Sequence, residues 1–279
     1  MTDSAATHQS RPDPLGDWAP TRGVLMSYAY LGSCPEAIDS TSAANTLDLR
    51  SDLRTPVGAV LAAPLAIAML DAATVNVESM RVHAVTQVDI DIVDCAIDAR
   101  RAYLEGKVTT EMRSQLFTEA RIWDADHPDR HIGFGTANWS ILNHSPHRFC
   151  FPQPAPCDNR GGALPPLWHA YSGRRRGETA MEIPRLPQEL GVEWLHHAPM
   201  LVITEAVALD CASDTLGTDE LVVEHLAMTV VAPGRVGPFI ATPVYTAVEG
   251  DSVGCRVELR DAGRGDRLIA ATSLRMRAY

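Results

Sequence analysis

Two acidic residues interrupt apolar segments that are long enough to form helices. Asp71 interrupts the run from Val60 to Val77, and Glu205 interrupts the run from Met200 to Ala212. Burying an ionised carboxylate in such a helix costs roughly several kcal/mol of desolvation energy unless a partner or a functional cleft compensates. The first N–H groups of a helix can polarise a carbonyl, and an acid about two turns later can activate water beside it. The pattern therefore favours hydrolysis of an acyl compound.

A pair of histidines precedes the second of these segments. In "WLHHAP", His196 and His197 come nine and eight residues before Glu205. His197 could polarise a carbonyl or relay a proton. Each candidate also has a structural interpretation. One histidine could cap the helix while the other is exposed, and Asp71 could hydrogen-bond a neighbouring strand or lie on one hydrated stripe of its helix.

The elements that would position these residues occur twice. The stretch "DADHPDRHIGFGT" at 124–136 has a counterpart, "DAGRGDRLIAATS", at 261–273, an offset of 137 positions (261 minus 124). The preceding residues alternate apolar and polar in the same register in both copies, which predicts two matched β-hairpins. Upstream, alternation over 88–92 matches alternation over 226–230, which predicts a second matched pair of strands.

The repeats predict an α+β fold in which each half of the chain wraps an antiparallel sheet around one long buried helix. We predict four segments. They are a flexible N-terminus over residues 1–20, a first repeat over 21–142, a Pro-rich connector with extended pieces over 143–185 and a second repeat over 186–279.

The amino-acid composition disfavours several classes of function. The 279 residues include 24 basic and 35 acidic ones, a net charge of −11, which disfavours nucleic-acid binding. The basic run Arg174–Arg176 suits a solvated loop or a phosphate contact. Six cysteines without CxxC spacing, and no apolar leader, favour a cytoplasmic protein without a metal site. The Ala-rich run around Asp71 also carries Pro64 and Asn76, so we expect a buried helix and no membrane span.

The sequence resembles a known family at these same residues. The Ala-rich helix with its internal acid, the strand "VTQVDIDIV" and the hairpin "LFTEARIWDADHPDRHIGFGTA" are similar to the hotdog-fold acyl-CoA thioesterases, in particular the phenylacetyl-CoA thioesterase-like branch. The resemblance covers residues 48–142 and again 186–279, which implies a tandem, double-hotdog form. In that family the acid within the helix acts as general base or nucleophile, and the resemblance carries this role to Asp71 and also to Glu205.

The family's His-Gly-Gly segment before the helix is altered in both halves. It would fall on Ala62, Ala63 and Pro64 in the first half and on His196, His197 and Ala198 in the second. Seven residues separate Pro64 from Asp71 but six separate Pro199 from Glu205, a shift of about 100° around a helix. The resemblance implies a composite site between the halves, and we predict that it takes Asp71 from one half and His197 from the other. The predicted substrate-binding residues are Ala63, Pro64, Ala198 and, as a phosphate contact in the "APGRVGPF" turn, Arg235.

We therefore expect a thioesterase acting on acyl-CoA or another acyl thioester, with no cofactor other than the coenzyme A of the substrate. Three alternatives remain open. The chain could bind acyl groups or acyl-CoA without turning them over, it could be a hotdog dehydratase or hydratase, although "D-x-N-P-x-H" is missing, or it could be a scaffold. Exposed sheet edges could also join several chains into a homo-oligomer.

Overall fold

The computed structural model describes residues 27–75, 81–144, 164–186 and 194–279. The predicted flexible segment 1–20 lies outside this part of the chain, as do residues 145–163 of the predicted connector. The described α-helices are α1 (Ala62–Thr74), α2 (Leu167–Ala170) and α3 (His197–Leu216). The described strands are β1 (Glu36–Ala37), β2 (Ser42–Asp48), β3 (Arg81–Ile92), β4 (Arg101–Glu111), β5 (Gln115–Asp124), β6 (His131–His144), β7 (Arg174–Arg176), β8 (Ala180–Ile183), β9 (Leu221–Val230), β10 (Phe239–Glu249), β11 (Ser252–Asp261) and β12 (Arg267–Ala278).

These strands form one antiparallel sheet in the order β1-β2-β4-β5-β6-β3-β9-β12-β11-β10-β8-β7. The pairing of β3 with β9 joins the strands of residues 27–144, here called the first half, to those of residues 164–279, the second half. In this pairing Val88 lies opposite Met228 and Ile90 lies opposite Leu226. The two segments that the sequence matched to each other at 88–92 and 226–230 are thus direct neighbours at the centre of the sheet.

The long helices form where the sequence predicts apolar runs, with shifted bounds. Every residue of α1 from Ala62 to Ala73 is buried, as expected for a helix that is apolar all round. The second long helix, α3, begins at His197 and not at Met200. Pro199 is compatible with this earlier start because the first turn of a helix needs no N–H donor. It ends at Gly217, whose φ of 72° gives the left-handed conformation that terminates many helices.

Each long helix packs mainly on the strands of its own half, and α1 also reaches β9 of the second half. The first contacts β2 and β4 most closely, and α3 contacts β10, β11 and β12. Gly106 on β4 shows how tight the first contact is, because a Cβ atom there would lie 2.6 Å from the backbone nitrogen of Ala73. The helices also contact each other, so that the N-terminal part of α1 lies beside the middle of α3.

The two matched turns form the predicted hairpins, β5–β6 and β11–β12. The first aspartate of each copy is buried: Asp124 is 1% exposed and Asp261 is not exposed at all. Asp124 accepts a hydrogen bond from the backbone N–H of Asp126, whereas Asp261 accepts three from a neighbouring loop, donated by the backbone N–H groups of Arg235, Val236 and Gly237. The shared aspartates therefore satisfy loop donors that would otherwise be buried without partners.

Residues 164–186, which the sequence analysis assigns mainly to the connector, contain α2 and the short strands β7 and β8. The second of these strands pairs with β10, so this segment extends the sheet. Among the described helices, none combines the length and the apolarity that crossing a membrane requires.

Candidate functional site

The carboxylate of Glu205 lies at the start of the other half's helix. It is buried, with 2% of the residue exposed, and its two oxygens accept hydrogen bonds from the backbone nitrogens of Ala62, at 2.6 Å, and Ala63, at 2.9 Å. A helix leaves its first four N–H groups without partners inside the helix. Here Leu61 donates to Leu53, Glu205 takes the next two donors, and Pro64 has no N–H to donate. Glu205 therefore completes the hydrogen bonding of the α1 N-terminus.

Burial raises the pKa of Glu205 to about 7, and the hydrogen bonds from Ala63 and Ala62 oppose that shift. The positive end of the α1 dipole also favours the ionised carboxylate and so acts in the same direction as these hydrogen bonds. The group is thus divided between its acid and base forms near neutral pH, which is the range in which a carboxylate serves as a general base.

A cavity of about 260 Å³ opens beside this carboxylate. Much of its wall is apolar and comes from the loop before α1, from α2, from β8 and from α3. The side chains concerned are Leu61, Leu167, Trp168, Met181, Val202, Ala206 and Leu209. A mainly apolar cavity lined by one buried carboxylate, which is itself held by two backbone N–H groups, has the general composition of a small-molecule site.

An ion pair lies at the edge of the same cavity. Arg175 on β7 donates to both carboxylate oxygens of Asp210 on α3, at 2.6 and 3.1 Å, and its guanidinium lies 5.8 Å from the centre of the Trp168 ring. Of the basic run Arg174–Arg176, Arg175 is therefore the residue that lines the cavity, whereas Arg176 pairs with Glu182.

Asp71 is enclosed in a separate polar network. The residue is 8% exposed, and its carboxylate accepts a hydrogen bond from the hydroxyl of Ser33 at 2.7 Å. That hydroxyl accepts from the side-chain amide of Asn45, also at 2.7 Å, and the Asn45 oxygen accepts from the backbone of Cys34. Burial raises the pKa of Asp71 to about 7, against the opposing effect of Ser33. Asp71 does not line the cavity beside Glu205.

The two histidines lie at the start of α3. His196 is its N-cap, and its Nδ1 accepts from the backbone nitrogen of Ala198 at 3.5 Å. His197 stacks on His196, with ring centres 3.8 Å apart, and meets the edge of Trp139. Burial lowers the pKa of His196 to about 4 and, together with the neighbouring histidines, lowers that of His197 as well. Both rings are neutral at pH 7.

The structure therefore brings some of the predicted site residues together and leaves others apart. Glu205 meets Ala63, and also Ala62, across the two halves. Among the described residues no hydrogen bond joins Asp71 to His197, and of the two acids it is Glu205 that hydrogen-bonds to the other half. Pro64 and Ala198 contribute to the starts of α1 and α3. Arg235 lies away from the cavity: its side chain is exposed, and its backbone holds Asp261.

Several residues around the two acids were missed by the sequence analysis. The hydroxyl of Ser33 donates to Asp71, the amide of Asn45 donates to Ser33, and Trp168 lines the cavity beside Glu205. Arg175, which also lines the cavity, belongs to the basic run that the sequence offered as a phosphate contact. Ser33 and Asn45 belong to no periodic pattern in the sequence that would have indicated their contact with the buried acid. The signal for Trp168 was the stretch "LPPLW", an apolar cluster inside a Pro-rich segment that indicates packing against the rest of the chain.

Comparisons with known proteins show the fold. The structure is similar to a protein with a hotdog fold from Alicyclobacillus acidocaldarius, at 12% identity and a TM-score of 0.59, covering 92% of this chain and 99% of that one. It is also similar to an acyl-CoA thioesterase II of Mycobacterium marinum, at 12% identity and a TM-score of 0.55, covering 91% and 97%. An acyl-ACP thioesterase of Bacteroides thetaiotaomicron is similar at 10% identity and a TM-score of 0.53, covering 85% and 98%.

By sequence, no family model and no curated protein matches the chain. The similarity to solved structures extends over most of the chain and most of each of those proteins. At this level of identity it establishes architecture and not activity. The chain has a hotdog fold.

Proposed function

We propose that this protein hydrolyses acyl thioesters, with acyl-CoA as the substrate class, at the site formed by Glu205 and the start of α1. The observation that carries the proposal is a buried carboxylate of raised pKa that lines an apolar cavity and accepts hydrogen bonds from two backbone N–H groups at a helix start. Two of the similar solved structures are thioesterases, which supports the same reaction class.

The proposed mechanism uses the N–H groups of Ala62 and Ala63 as an oxyanion hole. The thioester oxygen takes the place of the Glu205 carboxylate on these donors, and the displaced carboxylate removes a proton from the attacking water. The N–H groups stabilise the negative charge on the tetrahedral intermediate, which collapses by releasing the thiolate. The protonated Glu205 gives its proton to the thiolate, which restores the carboxylate, and the thiol and the free acid leave.

This mechanism assigns different roles to the two acids. Glu205, which binds the helix start and lines the cavity, activates water, and Asp71 takes no part in the reaction. Asp71 is held by Ser33 in the network described above, and at the corresponding helix start the backbone of Ala198 is bonded to His196. We interpret the chain as a double hotdog in which one of two equivalent sites has kept the chemistry.

The second candidate function is acyl-CoA binding without turnover. It is favoured by the same contact, because a carboxylate that stays on both N–H groups would keep a thioester oxygen from reaching them. The two candidates differ in one measurable respect, the release of free thiol.

The test is a thiol-release assay on a panel of acyl-CoA esters of increasing length and with aromatic acyl groups, run on the wild type and on Glu205→Gln. Hydrolysis is expected for the wild type and a loss of kcat for the variant. Binding of the esters by calorimetry with no thiol released by the wild type would favour the second candidate and would overturn the first.

A further inference from the structure

A group of three potential metal ligands lies on the outer face of the sheet, where the two halves meet. Asp89 and Asp91 are two residues apart on β3, so both side chains point to the same face. On β9, His225 lies directly opposite Asp91. One ligand atom from each of the three residues can be chosen so that all lie within 4.8 Å of one another.

The distances between the ligand atoms suit a cation with tetrahedral coordination. The Nδ1 atom of His225 is 3.1 Å from a carboxylate oxygen of Asp91 and 3.9 Å from one of Asp89. Two ligand atoms about 2.0–2.1 Å from a tetrahedral zinc ion are roughly 3.3 Å apart, which lies between these two values. Small rotations of the side chains would therefore bring all three atoms onto one ion.

The neighbouring basic side chains leave these two carboxylates available to a cation. Elsewhere in the chain, Asp94, Asp98 and Asp124 converge on the guanidinium of Arg130, which offsets part of their charge. Among the described residues, Asp89 and Asp91 form no ion pair with lysine or arginine, and the Nδ1 atom of His225 lies beside both carboxylates. Arg275, opposite His225 on β12, donates instead to Glu224.

We propose that Asp89, Asp91 and His225 bind one divalent transition-metal cation, with zinc as the best fit. One imidazole and two carboxylates are ligands that zinc accepts in protein sites, and a water molecule completes the four positions. The side chains are 36%, 37% and 26% exposed, so the ion can exchange with solvent. The site is separate from the cavity beside Glu205 and does not depend on the proposed hydrolysis.

The position of the site gives it a structural consequence. The pairing of β3 with β9 joins the strands of the two halves, and the three ligands lie on both sides of that pairing. A bound ion would link the halves and stabilise the folded chain, since a ligand that binds only the folded state raises the free energy of unfolding. The sequence expectation of no metal site rested on the cysteines, whereas these ligands come from strands 134 positions apart.

The test is isothermal titration of chelator-treated protein with ZnCl₂, on the wild type, Asp91→Asn and His225→Gln. His131→Gln, which removes an exposed histidine from β6, is the matched control. We expect one Zn²⁺ per chain in the wild type and the control, with affinity at least about tenfold lower in both ligand variants, since even indirect ligand supports contribute that much. Thermal unfolding without metal checks that each variant is folded.

A second measurement identifies the ligand set. Binding of Co²⁺ should give visible absorption bands without the sulfur-to-metal charge-transfer band that a cysteine ligand adds, and zinc should raise the Tm of the wild type more than that of His225→Gln. The proposal is overturned if zinc binds with less than one equivalent per chain, or if both ligand variants bind it as tightly as the wild type.

Discussion

Glu205 Oε1 lies 2.6 Å from the backbone nitrogen of Ala62, so an acid from the second half of the chain covers the start of a helix from the first. This contact joins two features that the sequence presents separately, an acid inside an apolar segment and an altered segment before a helix. The proposed chemistry depends on this contact.

Ala62→Pro removes the donor and leaves the helix intact. Proline is favoured at the first helical position, and Leu61 already has the extended conformation, φ −72° and ψ 146°, that a following proline requires. We expect unchanged circular dichroism and a fall in kcat of about 10²–10³, the usual effect of losing one oxyanion-hole donor. A folded variant with the kcat of the wild type would show that this N–H does not stabilise the transition state.

The pH–rate profile should report the ionisation of Glu205. Its pKa is raised to about 7, and the base form is the one that removes a proton from water. We expect kcat/KM to fall about tenfold per pH unit below pH 7 and to level off above it, after correction for spontaneous hydrolysis. An inflection near pH 4.5, where an ordinary glutamate titrates, would contradict the assignment.

Much of the fold could be predicted from the sequence because its signals are local. The alternation before Asp124 and Asp261 and the turns that follow them specify two hairpins, and the apolar runs around Asp71 and Glu205 specify two buried helices. Their bounds shifted by a few residues at α3, because Pro199 suits the first turn of a helix.

The candidate site was less predictable because it is made of long-range contacts. The pairing of Glu205 with Ala62 spans 143 positions and depends on how two helices pack. The sequence therefore identified both acids but joined Asp71 to His197, a pairing that stays a prediction. The segment around Trp168 reaches the cavity through α2 and β7. No periodic pattern in the sequence predicts these two short elements.

Ala206→Phe should block the cavity without touching Glu205. Ala206 lines the cavity on α3, and a larger side chain there fills space that we assign to the acyl group. We expect KM to rise by about tenfold or more, at a stability cost of about 1–3 kcal/mol from overpacking. Thr215→Phe adds the same ring at an exposed position of α3 and serves as the control. Equal KM values in the two variants would argue against an acyl site in this cavity.

Asp71→Asn should change how stability depends on pH. The folded pKa of Asp71 is raised from 3.8 to about 7, so its contribution to stability is complete below pH 4 and is lost as the pH rises through 7. Relative to the wild type, the variant should gain stability between pH 4 and pH 8, on the order of 4 kcal/mol at about 1.4 kcal/mol per pKa unit.

Urea unfolding at pH 4.5, 6 and 8 measures this difference. Asp48→Asn, which changes an exposed aspartate on β2, is the control and should follow the wild type at every pH. If Asp71→Asn and the wild type differ by the same amount at all three values, Asp71 is not the buried acid of raised pKa that the structure describes.

The most direct test of the central claim is kcat for thiol release from an acyl-CoA ester, compared between Glu205→Gln and Asp71→Asn. If Glu205 activates water, Glu205→Gln loses about 10²–10⁴ in kcat, while Asp71→Asn keeps at least about a tenth of the wild-type value. A wild type that hydrolyses thioesters, with Glu205→Gln as active as it is, or with the large loss found in Asp71→Asn instead, would contradict the claim.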